Sequence, residues 1–117
     1  MNNLSSYFIP LNHNSFSAEK YQSTQIGSII DSHIGDHFPS IESVEIAVLN
    51  ISEYEGSNNS FSDNNCKIRD AFYNLHIEEC PPIVDFGAIK LMQTRKESFD
   101  IIQMVCQQLI SKNIIPV

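Results

Sequence analysis

The sequence predicts an α/β protein: a three-layer α/β/α arrangement on a Rossmann-like parallel sheet of about three strands, preceded by an N-terminal helical arm. Two observations predict it. Residues 43–117 alternate apolar strand-like runs with segments of helical period, in the order strand, helix, strand, helix, strand. Right-handed crossovers between such strands make them parallel and lay the helices on the sheet. The expected division is residues 1–42 as arm and short helix, and residues 43–117 as a βαβαβ portion of a larger domain.

Residues 1–22 show no sustained period, but Tyr7, Phe8, Ile9, Leu11 and Phe16 are too apolar for a free tail, so they read as an arm that packs. Ile26, Ile29, Ile30 and Ile34 then recur at helical spacing, with Ser23 or Thr24 available as N-cap and Gly35 as a left-handed stop. A short helix is predicted there.

Residues 44–51 alternate at first and then run apolar, as a strand does when both faces become covered. Residues 52–65 are rich in Ser, Asn and Asp around Gly56 and predict a long loop. Ile68, Ala71, Phe72 and Leu75 repeat as one helix face, predicting a helix over about 65–76 with Lys67, Arg69 and Asn74 outward. The two prolines after Cys80 end it. Residues 83–86 read as a buried second strand that leaves through a tight turn at Gly87.

Thr94-Arg95-Lys96-Glu97 has the form of a capping box, which satisfies backbone donors at a helix start. Phe99, Ile102, Cys106 and Leu109, widened by Ile101, Val105 and Ile110, make the expected buried face, and Asn113 suits the C-terminal cap. Residues 114–117 begin a third strand. A domain seldom closes inside a core strand, so the segment is expected to belong to a longer sheet.

The 117 residues fit one modest domain, and Ile, Leu, Val and Phe together make about 30% of them, enough to drive folding. The net charge of -7 is carried by residues 1–63, where Lys20 is the lone base. That surface repels phosphate, and no Lys/Arg stripe is interleaved with aromatics, which argues against nucleic acid and anionic membrane surfaces as partners. No apolar run is long enough to span a bilayer and no signal peptide opens the chain, so a soluble, cytoplasmic protein is expected. Cys66, Cys80 and Cys106 are odd in number and lack metal-knuckle spacing, so reduced thiols are expected.

The one metal-like cluster lies in Asp31-Ser32-His33-Ile34-Gly35-Asp36-His37. On a continuous helix His33 and His37 would grip one ion; the competing reading puts His33 at a helix C-terminus and Asp36 and His37 in a solvated turn. Asp85-Phe86-Gly87 copies a kinase metal-binding triplet without any other kinase motif, and reads as an acid at a strand end before a glycine turn.

In order along the chain, Ser43 to Leu49, the Ile68-Arg69-Asp70-Ala71-Phe72-Tyr73-Asn74-Leu75 helix, the Ile83-Val84-Asp85-Phe86-Gly87 strand and Ile114-Ile115-Pro116-Val117 resemble the opening of the ureohydrolase superfamily, the arginase, agmatinase and formimidoylglutamase enzymes. The arm around Tyr7-Phe8-Ile9-Pro10 and the loop around Glu53-Tyr54-Glu55-Gly56 look most like the formimidoylglutamase-like branch. The resemblance implies a hydrolase whose two manganese ions generate a hydroxide that attacks an amidine carbon. It also implies that the ligand motifs Gly-Gly-Asp-His, Asp-x-His-x-Asp and Asp-x-Asp lie outside residues 1–117, so this segment is expected to supply scaffold and no catalytic residue. Glu53, Asn58 and Asn59 follow the C-terminal end of the first strand and are candidates for a substrate lip; the alternative is that they only solvate and cap their loop. The expected partner is the remainder of a larger hydrolase domain or, alternatively, a second copy joined through the C-terminal strand of a small acidic interaction module.

Overall fold

The computed structural model of the chain describes residues 4–11, 16–51, 60–90 and 94–117. After a 3-10 turn at Leu4–Tyr7 come β1 (Phe8–Ile9), a second 3-10 turn (Ala18–Lys20), α1 (Ile26–Ile29), β2 (Asp31–Ser32) and β3 (Ile46–Asn50). They are followed by α2 (Ser60–Tyr73), β4 (Ile83–Ile89), α3 (Arg95–Ser111) and β5 (Ile115–Pro116). The protein is α/β, as its alternating pattern predicts.

The parallel core is present: β3 lies between β4 and β5 and runs parallel to both. The sheet as a whole is mixed and five-stranded, two short strands more than the three parallel ones the sequence predicts. The two extra strands come from the arm. Phe8 and Ile9 of β1 pair antiparallel with Ile89 and Ala88, while Asp31 and Ser32 of β2 pair parallel with Val84 and Asp85. Both sit along the edge of β4 that faces away from β3, one at each end.

Alternation along β3 sorts the core into two faces. Ala47 and Leu49 join Val84, Phe86, Val105, Leu109 and Ile114 in the cluster under α3. Ile46 and Val48 join Ile83, Tyr73 and Phe72 in the cluster under α2, with Ile26 and Ile30 from the arm. Phe8 also belongs to the α3 cluster and packs its ring 5.1 Å from that of Phe86.

Four elements depart from the sequence reading. The predicted helix through Ile34 stops after one turn, and its N-cap is Gln25, whose side chain makes no capping bond. Residues 31–32 gain a parallel partner strand instead, which more helix would forfeit. Gly35 does take a left-handed backbone, φ 60°, but in a turn that bridges Ile34 to His37. The second strand continues through Gly87 to Ile89 and is buried along its length. Gly87 there marks a bulge, because the register with β3 shifts after Val48. Its φ of 92° and the Ile9 carbonyl oxygen, which a Cβ would strike, require glycine.

The helix α2 begins at Ser60, inside the stretch expected to be loop, and ends at Tyr73 rather than at residue 76. The weak helix propensity of Ser and Asn costs only tenths of a kcal/mol per residue, less than a packed helix recovers. Its inward face is also rotated: Ile68 is 71% exposed and Leu75 is exposed, whereas Arg69 and Tyr73 are buried. On α3 the capping box forms as expected, with Thr94 Oγ1 accepting from Glu97 N and Glu97 Oε1 accepting from Thr94 N. Asn113 has the predicted left-handed backbone, φ 64°. The buried seam of α3 is Ser98, Val105 and Leu109, flanked by Ile101 and Ile102; Phe99 and Ile110, expected inward, are exposed.

Candidate functional site

Asp85 is the centre of the most elaborate polar cluster among the described residues. Strand β4 carries it to the α2 face in a run that is otherwise apolar, and its side chain has no solvent exposure. Its Oδ2 accepts from Arg69 Nε at 2.7 Å and from the Tyr73 hydroxyl at 2.7 Å. Its Oδ1 accepts from Arg69 Nη2 at 2.8 Å and from the backbone N–H of Gly87 at 2.9 Å. A bidentate guanidinium pair and two further donors satisfy a carboxylate that would otherwise be very costly to bury.

The cluster extends in two directions. Tyr73 spends its proton on Asp85, so Ser32 donates to the Tyr73 oxygen, at 2.6 Å. Arg69 Nη1 donates to Asn50 Oδ1 at 2.6 Å, which fixes the orientation of that amide at the C-terminal end of β3. Among the described residues the Nδ2 of Asn50 is buried and has no partner. Burial first, and then the charge of Asp85, push the Tyr73 phenol well above its ordinary value, against a smaller lowering by the Ser32 bond. With all four of its bonds taken, Asp85 is a holding group rather than a base.

Beside the cluster, a cleft of about 290 Å³ opens at the C-terminal end of β3, lined by Val48, Leu49, Asn50, Ile68, Arg69, Phe72 and Val117. This is the end of a parallel sheet where ligands bind in open α/β folds. Its walls are mainly apolar, and the charge of Arg69 is already balanced by Asp85.

The candidates read from sequence are not gathered here. Glu53, Asn58 and Asn59 lie outside the described residues. His33 and His37 do not share a helix face: His33 is buried and donates from Nδ1 to the Phe86 carbonyl at 2.7 Å, while His37 is exposed and donates from Nε2 to Asp31 Oδ1 at 2.7 Å. Among the described residues no three His, Cys, Asp or Glu side chains are grouped as metal ligands. Burial raises the Cys80 thiol, the opposite of nucleophile activation. No helix among the described residues is long and apolar enough to cross a membrane.

The sequence pattern points Arg69 to solvent and sets Asp85 at a strand end, and it marks neither Asn50 nor Ser32 for a role. One signal was available. Arg69 and Tyr73 stand four residues apart, hence on one helix face, and the next strand carries a lone acid among apolar neighbours. Comparison of the chain with models of protein families, with characterised proteins and with solved structures finds no match in any of the three.

Proposed function

We propose that residues 1–117 act as a structural segment of a metal-dependent C–N hydrolase of the arginase and formimidoylglutamase kind, supplying sheet and helix layers and no catalytic group of their own. Its partner on this reading is the remainder of the hydrolase domain, which brings the manganese ligands. One observation carries it. Arg69 and Tyr73 from the Ile-Arg-x-x-Phe-Tyr-x-Leu helix, and Asp85 from the Asp-Phe-Gly strand, are pieces on which the family resemblance rests, and they meet in one buried cluster. Residues scattered along the chain thus share a single job, which is to lock α2 onto β4 beside the ligand-facing end of the sheet.

The gene downstream of the Val117 codon tests the proposal. Gly-Gly-Asp-His followed by Asp-x-His-x-Asp and Asp-x-Asp is the expected reading, and a frame without them overturns it. The 117-residue chain itself is expected to release neither urea from arginine or agmatine nor formamide from formimidoylglutamate when supplied with Mn²⁺. Turnover above the metal blank would move catalysis into this segment, and stoichiometric metal lost in His33→Ala would make it a metal-binding protein.

A second reading, an acidic module that associates with itself, is favoured by one feature. Ile115 of β5 and the adjoining Val117 are 60% and 66% exposed, on the outermost strand of that side of the sheet among the described residues. Sedimentation at rising concentration separates the two.

A further inference from the structure

We infer that His33 and Asp85 act together as a side-chain splice. They close the two-residue gap on the edge of β4 where antiparallel β1 and parallel β2 meet, and so let one arm cover that edge with strands of opposite direction. This goes beyond the function proposed above and holds for a hydrolase scaffold and a self-associating module alike.

The register defines the gap. Ser32 of β2 lies opposite Asp85 and Ile9 of β1 lies opposite Ala88, so neither arm strand reaches Phe86 or Gly87. Both residues belong to a strand that is buried along its length, where a carbonyl or N–H left open is costly. Side chains supply what the two short ladders lack. His33 Nδ1 donates to the Phe86 carbonyl at 2.7 Å, and Asp85 Oδ1 accepts from the Gly87 N–H at 2.9 Å.

The surroundings hold the imidazole in place. The backbone N–H of His33 donates to the Asp85 carbonyl at 2.8 Å, and its carbonyl accepts from Leu11 N–H at 2.8 Å. The Phe38 ring meets the imidazole edge-on at 4.9 Å and is itself stacked on Phe86 at 4.8 Å. A Cβ on Gly87 would strike the Ile9 carbonyl oxygen and lie 3.7 Å from His33 Nδ1. The end of β1 and the residue after β2 therefore meet over that glycine, at the point where the splice is needed.

A splice requires a hydrogen-bond donor where Nδ1 stands, whereas a residue that only fills the core requires apolar bulk. The two roles predict opposite orders for two substitutions: asparagine offers an amide N–H close to the Nδ1 position, and leucine offers bulk with no donor. In urea unfolding of the whole 117-residue chain, His33→Asn is expected to keep a folding equilibrium constant at least about tenfold above that of His33→Leu. A His33→Leu chain as stable as His33→Asn, or more so, overturns the proposal. The natural protein gives a second reading that does not depend on the variants folding. Its His33 ring is expected to show a proton on Nδ1 by nitrogen NMR, and its Gly87 amide to exchange with solvent at least about tenfold more slowly than an open chain, although it lies opposite neither arm strand. A proton on Nε2 alone, or a Gly87 amide that exchanges at the open-chain rate, overturns it equally.

Discussion

At the scale of single residues, Asp85 decides most. An acid in the middle of a buried strand is tolerated because Arg69, Tyr73 and the Gly87 N–H supply four donors to its two oxygens. Such a pair adds little over an apolar replacement of both partners, but breaking it strands a charge. Asp85→Ala is therefore expected to lose about 3–5 kcal/mol in urea unfolding, because Arg69 remains buried and unpaired. Tyr73 gives a pH signature. Its folded-state phenol ionises well above the ordinary value of 10.0 because it is buried beside the Asp85 charge, whereas in the unfolded chain it ionises near that value. The stabilisation from its neutral form is thus complete below about pH 10 and declines as pH rises beyond it, where the unfolded state sheds the proton first. Urea midpoints from about pH 9 to 11 should fall less steeply in Tyr73→Phe than in the natural protein.

At the scale of elements, periodicity located each long helix but did not fix its rotation. Ile68, Ala71, Phe72 and Leu75 form a genuine stripe on α2, yet the helix turns so that Arg69 and Tyr73 reach Asp85, leaving Ile68 and Leu75 in solvent. Satisfying a buried carboxylate outweighs burying a pair of aliphatic side chains, since each polar group left open costs about 1–3 kcal/mol and more when charged. On α3 the buried seam runs through Ser98, Val105 and Leu109. Leu109→Ala is expected to cost about 2–5 kcal/mol by leaving a cavity. Phe99→Ala should change stability by about 0.5 kcal/mol or less, because Phe99 is 61% exposed. Equal losses for the two in denaturant unfolding would restore the face read from the sequence. The ends of α3 were legible because caps are local: Thr94 with Glu97, and Asn113, each act within a few residues of themselves.

At the scale of the whole molecule, the two edges of the sheet are treated differently. The outer edge of β4 is covered by β1 and β2, so the chain's own N-terminal residues close that side. Phe8 anchors the closure in the core beside Phe86, and Lys90 N–H donates to the Tyr7 carbonyl at 2.9 Å. Phe8→Ala is expected to lose about 3–5 kcal/mol. Its hydrogen exchange should accelerate most at the Lys90 amide, whereas an arm that merely rests on the surface would leave that amide unchanged. The opposite edge among the described residues is β5, where Ile115 is exposed.

The amino-acid sequence by itself determined the succession strand, helix, strand, helix, strand, the capping box and the left-handed Asn113, because period and cap chemistry are settled among residues a few positions apart. Tertiary structure alone decided which helix faces turn inward, that the arm supplies strands rather than a longer helix, and that Arg69, Tyr73, Ser32 and Asn50 converge around Asp85. Those choices depend on groups as far apart as Ser32 and Tyr73, separated by 41 residues. They are fixed by the demand that a buried carboxylate, guanidinium and phenol find partners, which only the assembled sheet can meet.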